Sequence, residues 1–488
     1  MSNEIDDANE KKDNLLTLLA RGEKGFKESL GIQHEDGPQD ALGNKNVNQQ
    51  NEESSYPNRP LTSRIFGKME EGSLRGSIFA VSSLALGTGC LSLPIRFTQI
   101  SLAGGLFFLT ISAGIAYWTL TLMIKSAQNS STRDYSRLVR ESLGKFPAVL
   151  LDGTILLYIF GVLISYQVII YSIAGRVFFE LSGKGGTFDE FNNTTWNTNL
   201  YKFPIMFTVC VILSPLCMLK DISRMRFASL FSVSSLLYVI LIIIVESPSY
   251  YKHYLNNIRT EDPSTHENWY DITKAFGNDL LFFPSLATMF FSFTCHVGAF
   301  PVYKTLKDSI KVRRVYKVFK RSIILDLVLY YLVGITGFLT SPVNAPSLII
   351  YREPKGGFDL AMTIAKLAIC TNLMLSTPAN YNAFRISFCE LVLGIETQKL
   401  SDKFNFVLTV LTLFITATIG ALYNDIIAYI TLLGGIGSVI ITFLMPGLLY
   451  VKNNGKGVTH WQNILIILFI LMLCTFGFTG AVQTLLVK

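Results

Sequence analysis

From about residue 74 onward the chain is a succession of long apolar runs separated by short polar links. The runs fall near 74–99, 102–125, 147–180, 203–219, 227–247, 275–301, 322–344, 359–387, 404–422, 424–450 and 461–486. About 20 consecutive apolar residues are needed to cross the hydrocarbon core of a bilayer as a helix. The pattern therefore predicts an all-α polytopic membrane protein with 11 transmembrane helices. The third run is long enough to tilt or to extend beyond the bilayer. Before residue 70 the pattern reverses, to Asn, Gln, Glu, Asp, Lys and Gly with almost no aromatic residues. Such a stretch cannot bury enough apolar surface to order itself. Two parts follow: a disordered cytosolic tail, 1–70, and a transmembrane domain, 71–488. No charged-then-apolar signal peptide opens the tail. Its run Leu15-Leu16-Thr17-Leu18-Leu19 is a candidate docking helix, without the acidic residue of common dileucine signals.

Two of the runs are interrupted. In the first, Leu86-Gly87-Thr88-Gly89-Cys90-Leu91-Ser92-Leu93-Pro94 sets two glycines around a threonine, with a proline a turn later. Glycine weakens a helix and proline removes a backbone donor, so the segment reads as two half-helices with an unwound joint. In the sixth, Phe291-Ser292-Phe293-Thr294-Cys295-His296-Val297-Gly298-Ala299-Phe300-Pro301 places small polar residues, a histidine and a glycine in mid-span. One such break is explained by an ordinary packing kink, since Gly and Pro are common in membrane helices. Two matched breaks are not. Runs one to five and six to ten form two halves, and because five is odd the second half is inverted relative to the first. Irregular backbone at membrane depth is tolerated only where it is buried in protein or lines a polar cavity. Paired interruptions in inverted repeats point to a transporter site. The eleventh run is an extra C-terminal helix.

The breaks also suggest a class of substrate. Free N–H groups and the positive end of a half-helix attract a carboxylate, whereas unwound carbonyls attract a cation or an ammonium group. A site offering both suits a zwitterion. Gly87, Thr88, Gly89 and Cys90 are the first-break candidates, with the amides of Thr88, Gly89 and Cys90 for the carboxylate. Ser292, Phe293 and Thr294 are the candidates for the amine. Tyr166 and Phe293 are placed to close over the substrate, although aromatic residues at such positions also serve as packing.

Charge changes the picture only by fixing orientation. Of 488 residues 16% are charged, below the roughly 25% of an ordinary soluble chain, and the net charge is +7. With a cytosolic N-terminus, the cytosolic links hold Lys125, Arg133, Arg137, Arg140 and Lys145, then Lys220, Arg224 and Arg226, then a dense group from Lys304 to Arg321. The opposite links are sparse in bases, as the positive-inside rule requires. The basic residues thus serve topology, and no nucleic-acid partner is expected. The overlapping sequons at Asn192 and Asn193 fall in a link assigned outside. Seven cysteines lie in or beside apolar runs without metal-ligand spacing, which makes them packing residues with no metal site expected.

Taken in order, Gly87-Thr88-Gly89-Cys90-Leu91-Ser92-Leu93-Pro94, Gly161-Val162-Leu163-Ile164-Ser165-Tyr166, Ser214-Pro215-Leu216 through Lys220-Asp221, Phe291 to Pro301, Leu375-Ser376-Thr377-Pro378 through Arg385, and Gly434 to Pro446 resemble the amino acid/auxin permease family, within the amino acid–polyamine–cation superfamily. The likeness spans roughly residues 70 to 486. It implies eleven spans, a 5+5 inverted repeat with broken helices 1 and 6, and secondary transport of amino acids, usually with protons or sodium. It also implies that hydroxyls such as Ser376 and Thr377 help coordinate a cation. Members often carry an asparagine four residues before the first glycine of the first break. Here Ser83 stands at that position, which puts a sodium role for it in question. Arg96 replaces a small neutral residue; facing the vestibule it would favour anionic or acidic substrates, and the reading we lean to is an anchor snorkelling to the outer interface.

Ser83, Ser376, Thr377 and His296 are therefore the ion-coupling candidates. His296 sits at the second break with an imidazole able to titrate near neutrality, against the plainer reading of a buried imidazole donating to a carbonyl. Asp152 and Asp326 lie within apolar runs, where carboxylates are costly and often functional, which makes them proton-site candidates; the plainer readings are that Asp152, near the cytosolic end of its span, reaches water and that Asp326 pairs with the basic cluster just before it. No HExxH, GxSxG or paired aspartates appear, so an enzyme is not expected, and no cofactor beyond a coupling H+ or Na+. The sequence reads as a symporter-type amino acid permease using alternating access. The rival is a non-transporting amino acid sensor of the same fold, signalling through a cytosolic partner of its tail. Plasma membrane and vacuolar or lysosomal membrane stay open, as do the amino acid, the ion and the direction.

Overall fold

The computed structural model describes residues 74–128, 130, 134–182, 199–218, 226–260, 279–306, 312–340, 345–352, 359–395 and 397–486. The 1–70 tail, its leucine run and the sequons at Asn192 and Asn193 lie outside them. Among the described residues there is helix and no strand. In chain order the helices are α1 (Leu74–Ala85), α2 (Thr88–Leu91), α3 (Leu93–Ile100), α4 (Leu102–Gln128), α5 (Tyr135–Leu143), α6 (Lys145–Ser182), α7 (Asn199–Cys217) and α8 (Arg226–Thr260). Then come α9 (Asp279–Ser292), α10 (His296–Thr305), α11 (Val312–Thr340), α12 (Leu360–Phe388), α13 (Asp402–Leu422), α14 (Ile426–Leu432), α15 (Met445–Asn453) and α16 (Trp461–Leu486). Among the described residues nine helical stretches are long and apolar enough to cross a membrane, counting α9 with α10 as one and α14 with α15 as another. Leu74–Ala85 and Phe203–Cys217 are shorter apolar helices.

The side chains are sorted as a lipid-facing bundle demands. Leu157, Phe207, Leu241, Leu468 and Leu485 point outward, while Ser82, Thr119, Ser165, Thr377 and Thr416 are buried. Many buried hydroxyls donate to the carbonyl one turn back: Thr154 to Leu150, Ser165 to Gly161, Thr377 to Leu373, Thr416 to Thr412. That bond lets a hydroxyl sit at membrane depth without an unsatisfied donor.

Four features depart from the apolar pattern. Helix α11 begins at Val312, ten residues before the apolar run, so Arg313, Arg314, Lys317, Lys320 and Arg321 ride on its first turns. Helix α8 continues to Thr260, past the expected end near 247. An amphipathic helix, α5, stands between the second and third runs. The Asp134 carboxylate accepts from the Arg137 N–H at its start, and Gly144 ends it in the left-handed region at φ +99°. Between α14 and α15 the tenth span is π-helical from Leu433 to Leu444. Such windings are rare and cluster at functional sites. Gly434 opens it because a Cβ there would stand 1.9 Å from the Ala287 carbonyl oxygen of α9. The glycine is what lets the tenth span lie on the backbone of the sixth.

Candidate functional site

Both expected breaks are present. Helix α1 stops at Ala85, Leu86 and Gly87 leave the helix with Gly87 extended (φ −129°, ψ −152°), and α2 restarts at Thr88 for one turn. The joint is held locally: the Ser92 hydroxyl donates to the Gly89 carbonyl at 2.8 Å and the Cys90 thiol to the Gly87 carbonyl at 3.2 Å. Thr88 is 2% exposed, and its Oγ1 has no hydrogen-bond partner. In the sixth span α9 stops at Ser292 and α10 restarts at His296. The Thr294 N–H donates to the Phe291 carbonyl at 3.1 Å and the Cys295 N–H to the Phe293 carbonyl at 3.0 Å.

The two joints meet. A Cβ on Gly89 would lie 2.7 Å from Ser292 Oγ, so the first joint is seated against the second with no room for a side chain. Substituting Gly89 therefore disturbs packing between the joints as well as any ligand approach. Tyr330 of α11, fully buried, places its hydroxyl 2.7 Å from the Ala85 carbonyl and 2.7 Å from the Ser292 carbonyl. These are the last carbonyls of the two half-helices α1 and α9, groups that a helix end leaves without an internal donor. The Phe293 ring packs edge-on against Tyr330 at 5.1 Å between centroids. On the other side the Thr294 hydroxyl donates to Ser438 Oγ of the π-helical stretch at 2.7 Å. Ser438 donates in turn to the carbonyl of Leu433, five residues back. Tyr158 of α6 brings its hydroxyl to the same pair, Thr294 and Ser438.

Gly87, Thr88, Gly89, Cys90, Ser292, Phe293 and Thr294 are thus gathered into one place, and the remaining candidates are not. Tyr166 lies two turns along α6 from Tyr158 and pairs with Asn380 of α12. The Ser83 hydroxyl donates to the Ala80 carbonyl at 2.9 Å, within α1. Thr377 donates to Leu373 and Ser376 to Asn372 Oδ1 at 3.4 Å, both within α12. Nothing among the described residues ties that pair to Ser83. His296 opens α10 but turns to α4: its Nε2 is 3.0 Å from Thr119 Oγ1, while its Nδ1 is buried without a partner. The ring is buried, and its partner is a hydroxyl rather than a carbonyl.

Arg96 is not an anchor at the interface. It is 1% exposed on α3, donating to Gln99 Oε1 at 2.8 Å and to Thr431 Oγ1 of α14 at 2.5 Å. Gln99 also accepts from Ser285 of α9 at 3.2 Å, so the guanidinium ties α3, α9 and α14 together from within. Asp152 lies 3.9 Å from the Arg140 guanidinium of α5, a structural ion pair. Among the described residues Asp326 finds no base. It is 0% exposed, and neither carboxylate oxygen has a hydrogen-bond partner. Sequence reasoning missed Tyr158, Tyr330 and Ser438. Of these only Ser438 carried a signal, in the run Gly434-Gly435-Ile436-Gly437 just before it.

Compared with known proteins, residues 70–485 match the family described as "Transmembrane amino acid transporter protein". The chain belongs to the transmembrane amino acid transporter family. Its relatives include "Sodium-coupled neutral amino acid transporter 7" of Danio rerio, 27% identical over 392 residues, covering 77% of this chain and 78% of the relative. "Amino acid transporter AVT6D" of Arabidopsis thaliana is 23% identical over 411 residues, covering 83% and 91%. Among solved structures, MhsT in complex with L-phenylalanine superposes with a TM-score of 0.50 at 13% identity, covering 86% of this member and all of that chain. The last likeness concerns the fold alone, that of the LeuT-type transporters with their broken helices. This family member is therefore an integral membrane protein of that fold.

Proposed function

We propose that the chain is a secondary active transporter that carries amino acids across a membrane by alternating access, driven by a proton or sodium gradient. The observation that supports this most is the meeting of the two broken helices, with Gly89 seated on Ser292 and Tyr330 reaching the last carbonyl of each. In this reading the substrate carboxylate is held by the amides of Thr88, Gly89 and Cys90 and by the free Thr88 hydroxyl. The ammonium is held by the carbonyls at Ser292, Phe293 and Thr294. Phe293, Cys90 and Tyr330 form an uncharged surround that suits a neutral side chain, the class in the name of the Danio rerio relative. The two short apolar helices α1 and α7 complete eleven spans with the nine longer ones. The N-terminus lies in the cytosol, and the membrane is that of the cell surface or of a vacuole or lysosome. Transport needs binding and movement only, and no catalysis.

The test is uptake of a mixture of labelled amino acids into proteoliposomes under an inward proton gradient, a sodium gradient, or neither. Concentrative uptake under one gradient is the expected outcome. Thermal stabilisation by an amino acid with no flux under any gradient would replace transport by sensing.

A further inference from the structure

The carboxyl of Asp326 stands where the two halves of the site are tied together. Positions 322, 326 and 330 of α11 share one face, four residues apart. Ser322 Oγ donates to the Ile78 carbonyl at 3.0 Å, and Ser82 Oγ to the Ser322 carbonyl at 3.5 Å. Two turns further, Tyr330 donates toward Ala85 and Ser292. These bonds stitch α11 to α1 along its length, and Asp326 lies inside the seam with both oxygens unpartnered. The groups facing it are Ser82 of α1, Cys90 of α2, Cys295 of the sixth-span joint and Tyr330 of its own helix. Helices α3, α4 and α8 also pack on α11, and among the described residues they set no charged group against it.

A carboxylate buried in this way, with no base and at most the Ser82 hydroxyl as a donor, is far too costly to keep charged, whereas a carboxylic acid needs no counter-ion. A hard metal cation such as sodium is no better served. Such ions gather several oxygens, and here two hydroxyls, one of them already given to the Ala85 and Ser292 carbonyls, converge with two thiols.

We propose that Asp326 is the proton-binding residue of the transport cycle. This rests on the transport reading above and settles its coupling ion as H+. A proton taken from the aqueous phase on one side bonds to one carboxylate oxygen, and the neutral acid lets α1 close on α11. Opening toward the other side hydrates the group, the O–H bond breaks, and the proton leaves to water there. The resulting carboxylate draws the Ser82 hydroxyl away from the Ser322 carbonyl and loosens the seam beside the two joints. The substrate stays with the joints; the proton acts one turn away.

The experiment compares wild type, Asp326→Asn and Ser82→Ala in proteoliposomes, with folding checked by thermal unfolding in detergent. Wild type should accumulate substrate under a proton gradient and not under a sodium gradient alone. Asp326→Asn, fixed in the neutral form, should lose at least ten-fold in proton-driven accumulation while still exchanging labelled for unlabelled substrate. Ser82→Ala should keep accumulation but reach half-maximal uptake at higher pH, because the hydroxyl no longer helps to hold the charged carboxylate. Proton-driven accumulation by folded Asp326→Asn overturns the proposal, as does accumulation by wild type under sodium alone. If Asp326→Asn does not fold, an unshifted pH profile in Ser82→Ala overturns it instead. Absence of any flux in wild type would refute the transport reading itself, a result distinct from these.

Discussion

Two buried acids of this bundle have opposite surroundings. Glu180, 8% exposed at the end of α6, has one oxygen against the Lys366 ammonium of α12 and the other accepting from Thr363 at 2.9 Å. Close by, the Arg176 guanidinium donates to the Tyr351 carbonyl at 2.9 Å and lies over its ring. Arg352 pairs with Glu246 of α8 and covers the Tyr250 ring at 3.6 Å. Every charge there has a partner, and the pairs bind α6, α8 and α12 to the short helical turn at Ile349–Tyr351. Among the described residues Asp326 has no charged partner, only the Ser82 hydroxyl beside it. A buried pair is rigid because separating it strands two charges; a lone acid changes state with one proton. In the transport reading, the contrast separates a part that stays fixed from a part that moves.

Breaking the pair should have the largest effect. Lys366→Met strands Glu180 and should lower stability by about 3–5 kcal/mol, read as a fall in unfolding temperature in detergent. Adding Glu180→Gln should recover much of that loss, and no recovery would mean that the pair is not the source. Next comes Tyr330→Phe. It keeps the ring against Phe293 but leaves the carbonyls of Ala85 and Ser292 without their shared donor, at a cost of about 1–3 kcal/mol and with reduced uptake. The smallest stability change belongs to Thr88→Val. Its hydroxyl has no protein partner, so unfolding should shift by no more than about 0.5 kcal/mol while the substrate concentration for half-maximal uptake rises several-fold. A large loss of stability in Thr88→Val would show that the hydroxyl serves the fold rather than the ligand.

The sequence carried the breaks plainly, because glycine, proline and small polar residues are the cause of unwinding as well as its sign. Gly87 to Pro94 and Phe291 to Pro301 fell where the helices stop. It did not carry the partners of those breaks. Tyr330 and Tyr158 look like any aromatic residue in an apolar run, and their role comes from helices far away along the chain. Glu180 and Lys366 are 186 residues apart, a distance over which no local pattern speaks. Helix α5 went unread, because it is too short and polar to register as an apolar run; its Asp134 cap and Gly144 stop were seen only in the fold. The coupling candidates Ser83, Ser376 and Thr377 came from resemblance, and in the fold each hydroxyl bonds within its own helix. The π-helical winding of the tenth span had only its glycines to announce it.

One further consequence concerns Tyr330. A phenol carries a single hydrogen, and two carbonyl oxygens lie at equal distance from it. It can donate fully to one or weakly to both, and of the two the Ala85 carbonyl also accepts from the Gly87 N–H at 2.8 Å. In the transport reading an arriving ammonium, with three N–H bonds, is a further donor for the Ser292 carbonyl and frees the phenol for Ala85. A ligand seated there would thus change which helix end the phenol holds.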